Sequence, residues 1–173
     1  AHLPFMPKRN LSAVAAGADL VIQSTHKTLP SLTQTALLHV NRKELVPKVE
    51  RYLHIFQTSS PSYLFTQSME KAVVYAGNHP EVFDAYRKRL KHFRKKCKEL
   101  RHIRLLQPKQ TCYAYDKGKL VFTVSGVRPV EPGTDSRNDI PATGPWLAHV
   151  LAAEYQQVVE MAGTHHVILM TSF

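Results

Sequence analysis

The chain has 173 residues, 43% of them hydrophobic, and a formal net charge of +10. It is long enough to build a hydrophobic core, it has no run near the roughly 20 apolar residues of a membrane span, and residues 1–9 lack the pattern of a secretion signal. We therefore expect a globular protein of the cytoplasm. The two cysteines, Cys97 and Cys112, are too few for a disulfide framework and lack metal-ligand spacing, so we expect reduced thiols.

The first predicted elements are a short helix, two strands and the loop between them. Residues 11–16 predict the helix, and Gly17 is expected to close it in the left-handed conformation that suits glycine. Residues 18–23 are an apolar run that predicts a buried strand, and residues 35–40 predict a second apolar strand. The loop between the strands opens on Ser24-Thr25-His26-Lys27.

Helices are predicted next. Residues 43–56 have helical spacing, with Pro47 tolerated if it lies in the first turn. After a loop at residues 58–61, an apolar helix is expected from about residue 62 to residue 75. Pro80, preceded by Asn78-His79, predicts the start of a further helix because proline is preset for the first helical position.

Most of the positive charge lies in that further helix. Residues 81–104 contain ten basic and three acidic residues, a balance of +7 that leaves +3 for the rest of the chain. Apolar side chains recur at steps of three and four residues from Val82 to Leu100, so one face should pack on the protein and the other should be solvated. We expect a solvated face rather than a nucleic-acid surface, because neither interleaved aromatic residues nor a glycine-rich loop accompanies the charge.

The remaining chain predicts strands, a helix and a closing strand. The strands are expected at residues 103–106, 111–115 and 119–125, with Lys117-Gly118 as the turn between the last two. Irregular backbone is expected between Ser125 and Thr143, where proline and glycine cluster. A helix at residues 146–155 and a strand at residues 167–171 follow. The sequence thus predicts an α/β class.

The lysine loop points to a chemistry. A strand that delivers a lysine beside hydroxyl groups suits an enzyme that holds pyridoxal phosphate, since the cofactor bonds to a lysine amine and its phosphate accepts hydrogen bonds from hydroxyl and N–H groups. An ordinary surface lysine is the alternative interpretation of these four residues taken alone.

Three motifs resemble the Orn/Lys/Arg decarboxylase family. Residues 17–36 resemble its pyridoxal-phosphate lysine segment, and residues 57–63 resemble its T-[ST]-S-P-S-Y motif. Glu160-Met161-Ala162-Gly163 is similar to a third motif of the family. The resemblance implies an aminotransferase-type fold, with residues 1–105 as the second half of the cofactor-binding large domain and residues 106–173 as the start of a smaller α/β domain.

The resemblance also implies site residues around the cofactor. Lys27 would bind pyridoxal phosphate covalently and later act as a proton donor, for which a desolvated amine with a lowered pKa is suited. Ser24 and Thr25 would give hydroxyls to the phosphate. His26 would lie against the cofactor, with a core histidine bonded to backbone as the alternative.

Other implied site residues lie outside the lysine loop. His2 matches the end of the family's D-x-A-H-G-A-H segment and could reach the site. Thr58, Ser59 and Ser60 would approach the phosphate from a neighbouring subunit, which implies at least a dimer; a helix N-cap followed by proline is the alternative for these three. Glu160 either faces a basic substrate or is an exposed turn carboxylate.

The implied reaction is decarboxylation of ornithine, lysine or arginine to an amine. The aspartate that pairs with the pyridine nitrogen in the family precedes the residues that match Ala1-His2, so the chain is expected to be a fragment whose activity alone is doubtful. A non-catalytic relative that binds or regulates a full-length subunit is one alternative, and a basic nucleic-acid binder is another.

Other catalytic motifs do not occur in the sequence. It contains no G-x-S-x-G elbow, P-loop, dinucleotide glycine pattern or H-E-x-x-H. His165 and His166 are adjacent, a spacing that does not let both rings converge readily on one metal. We therefore expect no metal centre.

Overall fold

The computed structural model describes residues 12–107, 115–124, 126 and 142–173. It divides into two compact units, Ala1–Asp84 and Ala85–Phe173. This division lies within a helix, and it differs from the boundary that the sequence predicts between residues 105 and 106. The sequence-based boundary concerns the domains of a larger fold and stays a prediction.

An antiparallel pair of strands opens the first unit. Strand β1 (Leu20–Ser24) pairs with strand β2 (Ala36–Val40), with Leu20 opposite Val40 and Ser24 opposite Ala36. The two predicted strands are confirmed, but the described residues of the helix predicted before them form a turn, in which Ala16 N donates to Ser12 O at 2.8 Å. Gly17 ends this turn with a φ of +83°, the left-handed conformation expected of it.

The burial predicted for the first strand is wrong. Val21 is buried, whereas Ile22 on the opposite face is 75% exposed and Leu20 is 46% exposed. Neighbouring side chains of a strand point to opposite faces, so a strand that packs on one side only exposes alternate apolar residues. Strand β1 therefore has apolar side chains on both faces, and only the face that contains Val21 is buried in the described structure.

Two helices follow in the first unit. A 3-10 turn at Lys43–Leu45 leads into helix α1 (Val46–Phe56), where proline occupies the first turn as predicted. Helix α2 (Tyr63–Asn78) begins at the N-cap Ser62, whose Oγ accepts a hydrogen bond from Phe65 N, and it extends three residues beyond the predicted end. Helix α1 buries none of its side chains within the described structure.

Helix α3 (Pro80–Lys96) carries the basic residues. It begins at Pro80 as predicted, but it ends before residue 104, because a 3-10 turn at Cys97–Glu99 follows it. Tyr86, Leu90 and Cys97 are buried along one face, which confirms the predicted amphipathic packing at these positions, whereas Phe93 and Leu100 of the same apolar series are each 43% exposed. The positive charge therefore belongs to the helix, the turn and the segment after them.

A four-stranded antiparallel sheet lies in the second unit, in the order β3-β4-β6-β5. Its strands are β3 (Arg104–Leu105), β4 (Lys119–Thr123), β5 (Met161–Gly163) and β6 (His166–Met170). Strand β4 pairs with β6 in the register Lys119 opposite Met170, and residues 117–118 form the predicted turn before β4. Of the predicted strand at residues 111–115, all but the last lie outside the described residues.

Helix α4 (Gly144–Tyr155) comes very close to the β5–β6 hairpin. Gly144 N donates to Thr164 O at 3.0 Å, and a Cβ at position 144 would overlap the carbonyl oxygens of Gly163 and His166. Val124 and Val167 are fully buried in the core of this unit. The helix is confirmed, while β5 was not predicted, since it is a three-residue strand without alternating apolar residues.

The mixture of helices and sheets confirms the α/β class. Among the described residues, no helix is both long and apolar enough to cross a membrane.

Candidate functional site

The candidate site is the lysine loop, residues 25–35, which joins β1 to β2. Lys27 lies in the first turn of this loop and its side chain is exposed. Ser24, the last residue of β1, is half-buried. The antiparallel pairing of β1 with β2 brings both ends of the loop together. Lys27 therefore lies on a loop whose two ends are adjacent.

Thr35 joins the two ends of the loop by hydrogen bonds. Its Oγ1 donates to Leu32 O at 2.7 Å, and the hydroxyls of Thr25 and Ser31 lie 2.7 Å and 2.8 Å from it. A hydroxyl has one proton and two lone pairs, so Thr35 accepts from both neighbours once its own proton goes to Leu32. The Thr35 hydroxyl is thereby saturated, in a place where its side chain is 2% exposed.

This network limits what Thr25 can offer to a ligand. The side chain of Thr25 is 2% exposed and its proton is directed to Thr35. A phosphate needs a donor, so Thr25 would have to exchange its partner before it could bind one. Ser24 is better placed for this role, because its hydroxyl has no hydrogen bond within the described residues.

The ring of His26 is tied to the same closing residue. Its Nδ1 lies 2.8 Å from Thr35 O. A carbonyl oxygen only accepts, so Nδ1 carries a proton and donates it to Thr35 O. His26 is half-buried, and its ring is held by the backbone, as the core-histidine alternative expects.

Thr58, Ser59 and Ser60 lie in the exposed loop between α1 and α2. Ser60 N donates to Thr58 Oγ1 at 3.2 Å, which stabilises a local turn. The N-cap of α2 is Ser62, not one of these three residues, so the N-cap alternative is wrong for them. Within the described residues, no hydrogen bond joins these three side chains to the lysine loop.

The remaining predicted residues are placed as follows. His2 lies outside the described residues. Glu160 is exposed just before β5, and its N–H donates to Ile168 O at 2.8 Å. Across the described ranges, no group of three or more His, Cys, Asp or Glu side chains is placed to hold a metal ion.

Sequence reasoning did not identify Thr35 and Ser31 as site residues. Both lie within residues 17–36, the segment that resembles the family's lysine segment. The sequence does offer one sign of their role: a hydroxyl residue at the end of a loop, such as Thr35, can form a hydrogen bond to the residue that begins the loop. The pairing of Thr25 with Thr35 could not be foreseen without the length and path of the loop.

The sequence matches one family over most of its length. The family described as "Orn/Lys/Arg decarboxylase, major domain" matches residues 2–128. This range contains the whole lysine loop, the Thr58–Ser60 loop and α3. It ends before α4 and the β5–β6 hairpin.

Curated relatives match over shorter stretches. An uncharacterized protein YaaO of Bacillus subtilis is 43% identical over 67 residues, which is 38% of this chain and 14% of that protein. An arginine decarboxylase of Bacillus subtilis is 41% identical over 73 residues, which is 41% of this chain and 15% of that protein. The matched part of the chain is thus a small part of each relative.

Solved structures share the fold over a longer range. The Francisella novicida lysine decarboxylase LdcF matches with a TM-score of 0.69 at 18% identity, over 88% of this chain and 25% of that one. The constitutive lysine decarboxylase of E. coli matches with a TM-score of 0.66 at 22% identity, over the same shares of each chain. The chain therefore has the fold of about one quarter of these proteins.

Proposed function

Because the chain belongs to the Orn/Lys/Arg decarboxylase family, we propose that it is part of an enzyme that removes the α-carboxylate of ornithine, lysine or arginine with pyridoxal phosphate. The observation that carries this proposal is the position of Lys27 beside His26 on a loop whose two ends are joined by the Thr25–Thr35 hydrogen bond. Family membership supports the reaction type.

The residues of the lysine loop fit the proposed cofactor in their chemistry. Lys27 provides the amine that would hold it covalently, and the Ser24 hydroxyl is available to donate to its phosphate. When bound, pyridoxal phosphate supplies the electron sink for loss of the carboxylate. The loop contains no carboxylate, so the partner of the ring nitrogen would come from elsewhere in the enzyme.

Lys27 and His26 are the proposed catalytic residues. Lys27 Nζ would return a proton to the α-carbon of the product, a role for which an amine on a loop is mobile enough. His26 would lie against the cofactor ring, oriented by its hydrogen bond to Thr35 O. Thr35 would then be a positioning residue, since it fixes both His26 and the base of the loop.

The proposed working unit is a homodimer or larger assembly. Thr58, Ser59 and Ser60 are exposed on a loop that is stabilised by its own turn. We propose that this loop approaches the phosphate in the neighbouring subunit. We also propose that His2 lies in this site. The proposed location of the protein is the cytoplasm.

Carbon dioxide release tests the proposed reaction. The full-length protein that contains this chain is incubated with ornithine, lysine and arginine in separate assays with pyridoxal phosphate. We expect release with one of them, and loss of release in Lys27→Ala but not in Lys43→Ala, a matched change of an exposed lysine. Release that survives Lys27→Ala would contradict the proposal.

A second candidate function is suggested by the exposed aromatic residues of the first unit. Phe56 is 81% exposed and Tyr63 is 83% exposed, on either side of the Thr58–Ser60 loop. Exposed large apolar side chains in one place indicate a surface that is covered by protein. The chain would then be a non-catalytic relative that binds a decarboxylase subunit, and cofactor absorbance in the isolated chain distinguishes the two functions.

A further inference from the structure

A basic pocket lies beside α3 in the second unit, and the proposed decarboxylase chemistry gives it no role. Its volume is about 560 Å³. His92 and five cationic residues of α3 and the turn after it line the pocket; the cationic residues are Lys88, Lys91, Arg94, Lys95 and Lys98. Gln107, which follows β3, also lines it. The pocket is therefore an open site lined by α3, by the turn after it and by a residue that follows β3.

The lysines reach the pocket because of their spacing. Lys88, Lys91 and Lys95 follow one another at steps of three and four residues, which places them on one face of α3. The opposite face contains the buried Tyr86 and Leu90. Packing of the apolar face thus directs the lysines together toward the pocket.

The charge of these lysines is not balanced nearby. Within the described residues, Lys88, Lys91, Lys95 and Lys98 have no ion pair, and no carboxylate lines the pocket. Like charges three or four residues apart on one helix face repel each other and destabilise the helix. A bound anion would remove this repulsion, so the unligated pocket favours anion binding.

Arg94 adds a charge that is held in a fixed position. Its Nε and one terminal nitrogen donate to Lys117 O at 3.1 Å and 3.0 Å, and the same terminal nitrogen donates to Lys119 O at 3.1 Å. The guanidinium also lies 5.6 Å from the ring centre of Tyr115. Carbonyl oxygens and a ring face orient the guanidinium but leave its full charge, so Arg94 contributes a rigid positive field.

We propose that this pocket binds a compact anion with several phosphate groups. Its volume lies in the range of about 300–1,000 Å³ that is usual for small-molecule sites. Lysine ammonium groups act as point charges on flexible stems, which suits several phosphates in close succession. No Phe, Tyr or Trp side chain lines the pocket among the described residues, so it lacks the large aromatic rings on which proteins stack single-stranded nucleic acid.

Calorimetric titration of the protein with sodium tripolyphosphate at low salt tests this site. We expect saturable binding at one site per chain. The double substitution Lys91→Glu/Lys95→Glu should weaken it by about tenfold or more, because two charge-assisted contacts become repulsive. The matched control is Lys43→Glu/Lys48→Glu, which changes the net charge equally on exposed lysines of the first unit and should leave the affinity within about twofold.

Three results would contradict the proposal. They are an absence of binding, equal weakening by the two double substitutions, and tighter binding of duplex DNA that Lys91→Glu/Lys95→Glu weakens. The last result would assign the surface to nucleic acid. If circular dichroism shows that Lys91→Glu/Lys95→Glu unfolds α3, Lys91→Gln/Lys95→Gln replaces it in the test. This variant should still weaken tripolyphosphate binding more than Lys43→Gln/Lys48→Gln does.

Discussion

The hydroxyl of Thr25 donates a 2.7 Å hydrogen bond to the hydroxyl of Thr35 across the base of the lysine loop, where both side chains are 2% exposed. The backbone repeats this link, because Thr25 N donates to Thr35 O at 3.1 Å. The same carbonyl accepts from His26. Two threonines ten residues apart thus close the loop that carries Lys27, and the proposed catalytic side chains depend on that closure.

Replacing the Thr35 hydroxyl should destabilise the protein. Thr35→Val keeps the shape of the side chain but leaves the Thr25 and Ser31 hydroxyls and Leu32 O without their partner. We expect the free energy of unfolding to fall by about 1–3 kcal/mol in urea titrations. Thr33→Val, at an exposed position of the same loop, should change it by less than about 0.5 kcal/mol.

A double-mutant cycle separates this hydrogen bond from other effects of the substitution. Thr25→Val/Thr35→Val removes donor and acceptor together, so its loss of unfolding free energy should be smaller than the sum of the two single losses. Strict additivity would show that the two hydroxyls do not interact as described.

Ser24 and Thr25 should respond differently to loss of their hydroxyls. Ser24→Ala should weaken pyridoxal phosphate binding by about tenfold, since one hydrogen bond to a charged group contributes about 1.5 kcal/mol or more, and should leave stability unchanged. Thr25→Ala should mainly lower the free energy of unfolding. Cofactor titration by absorbance and urea unfolding of both variants measure the two effects. If Thr25→Ala weakens cofactor binding and Ser24→Ala does not, Thr25 is the residue that donates to the phosphate and the prediction is wrong.

Two glycines should respond to alanine with opposite signs. Gly144→Ala places a Cβ against backbone carbonyl oxygens, which cannot move aside as a side chain can, and should cost about 4 kcal/mol or more. Gly77 lies in α2 with nothing within 4 Å of its would-be Cβ. Gly77→Ala should therefore stabilise the protein by up to about 1 kcal/mol, the difference in helix propensity. Thermal unfolding of the two variants measures both changes.

Tyr86 should make the protein sensitive to alkaline pH. Burial raises the pKa of Tyr86 above its ordinary value, so the neutral form stabilises the folded state. Thr171 Oγ1 donates to Gly118 O at 2.8 Å, which leaves it to accept from the Tyr86 hydroxyl. This contribution is complete below the unfolded pKa of about 10 and is lost as the pH rises through the raised folded value.

Urea unfolding at pH 8 to 11 tests the role of Tyr86. The wild-type protein should lose more free energy of unfolding above pH 10 than Tyr86→Phe does. Both proteins keep Cys97, whose pKa burial also raises, so its contribution cancels in the comparison. Equal losses in the two proteins would show that Tyr86 does not titrate as expected.

Local signals predicted much of the fold. Pro80 at the start of α3, Gly17 at positive φ and the turn at residues 117–118 follow from the conformational limits of single residues, which act without long-range contacts. The half-exposed β1 and the short β5 could not be predicted, because burial and strand pairing depend on distant segments. The early end of α3 reflects the same limit, since apolar spacing continues into Leu100 although the helix does not.

The candidate site was predicted in its residues but not in its connections. The order of Ser24, Thr25, His26 and Lys27 at the end of a strand predicted all four in one loop; the structure places Thr25, His26 and Lys27 in the loop and Ser24 at the end of β1. That Thr25 is directed inward to Thr35, while Ser24 keeps its hydroxyl available, depends on the path of the whole loop. The roles of the four side chains toward a cofactor stay predictions.

Borohydride reduction of the full-length protein with pyridoxal phosphate, followed by peptide mapping, tests the central claim most directly. Reduction makes the bond between the cofactor and its lysine permanent, so the labelled peptide identifies the anchor. We predict a pyridoxyl group on Lys27, no label at that peptide in Lys27→Ala, and full labelling in Lys43→Ala. A pyridoxyl group on another lysine of a protein that releases carbon dioxide, or none at all in such a protein, would contradict the account.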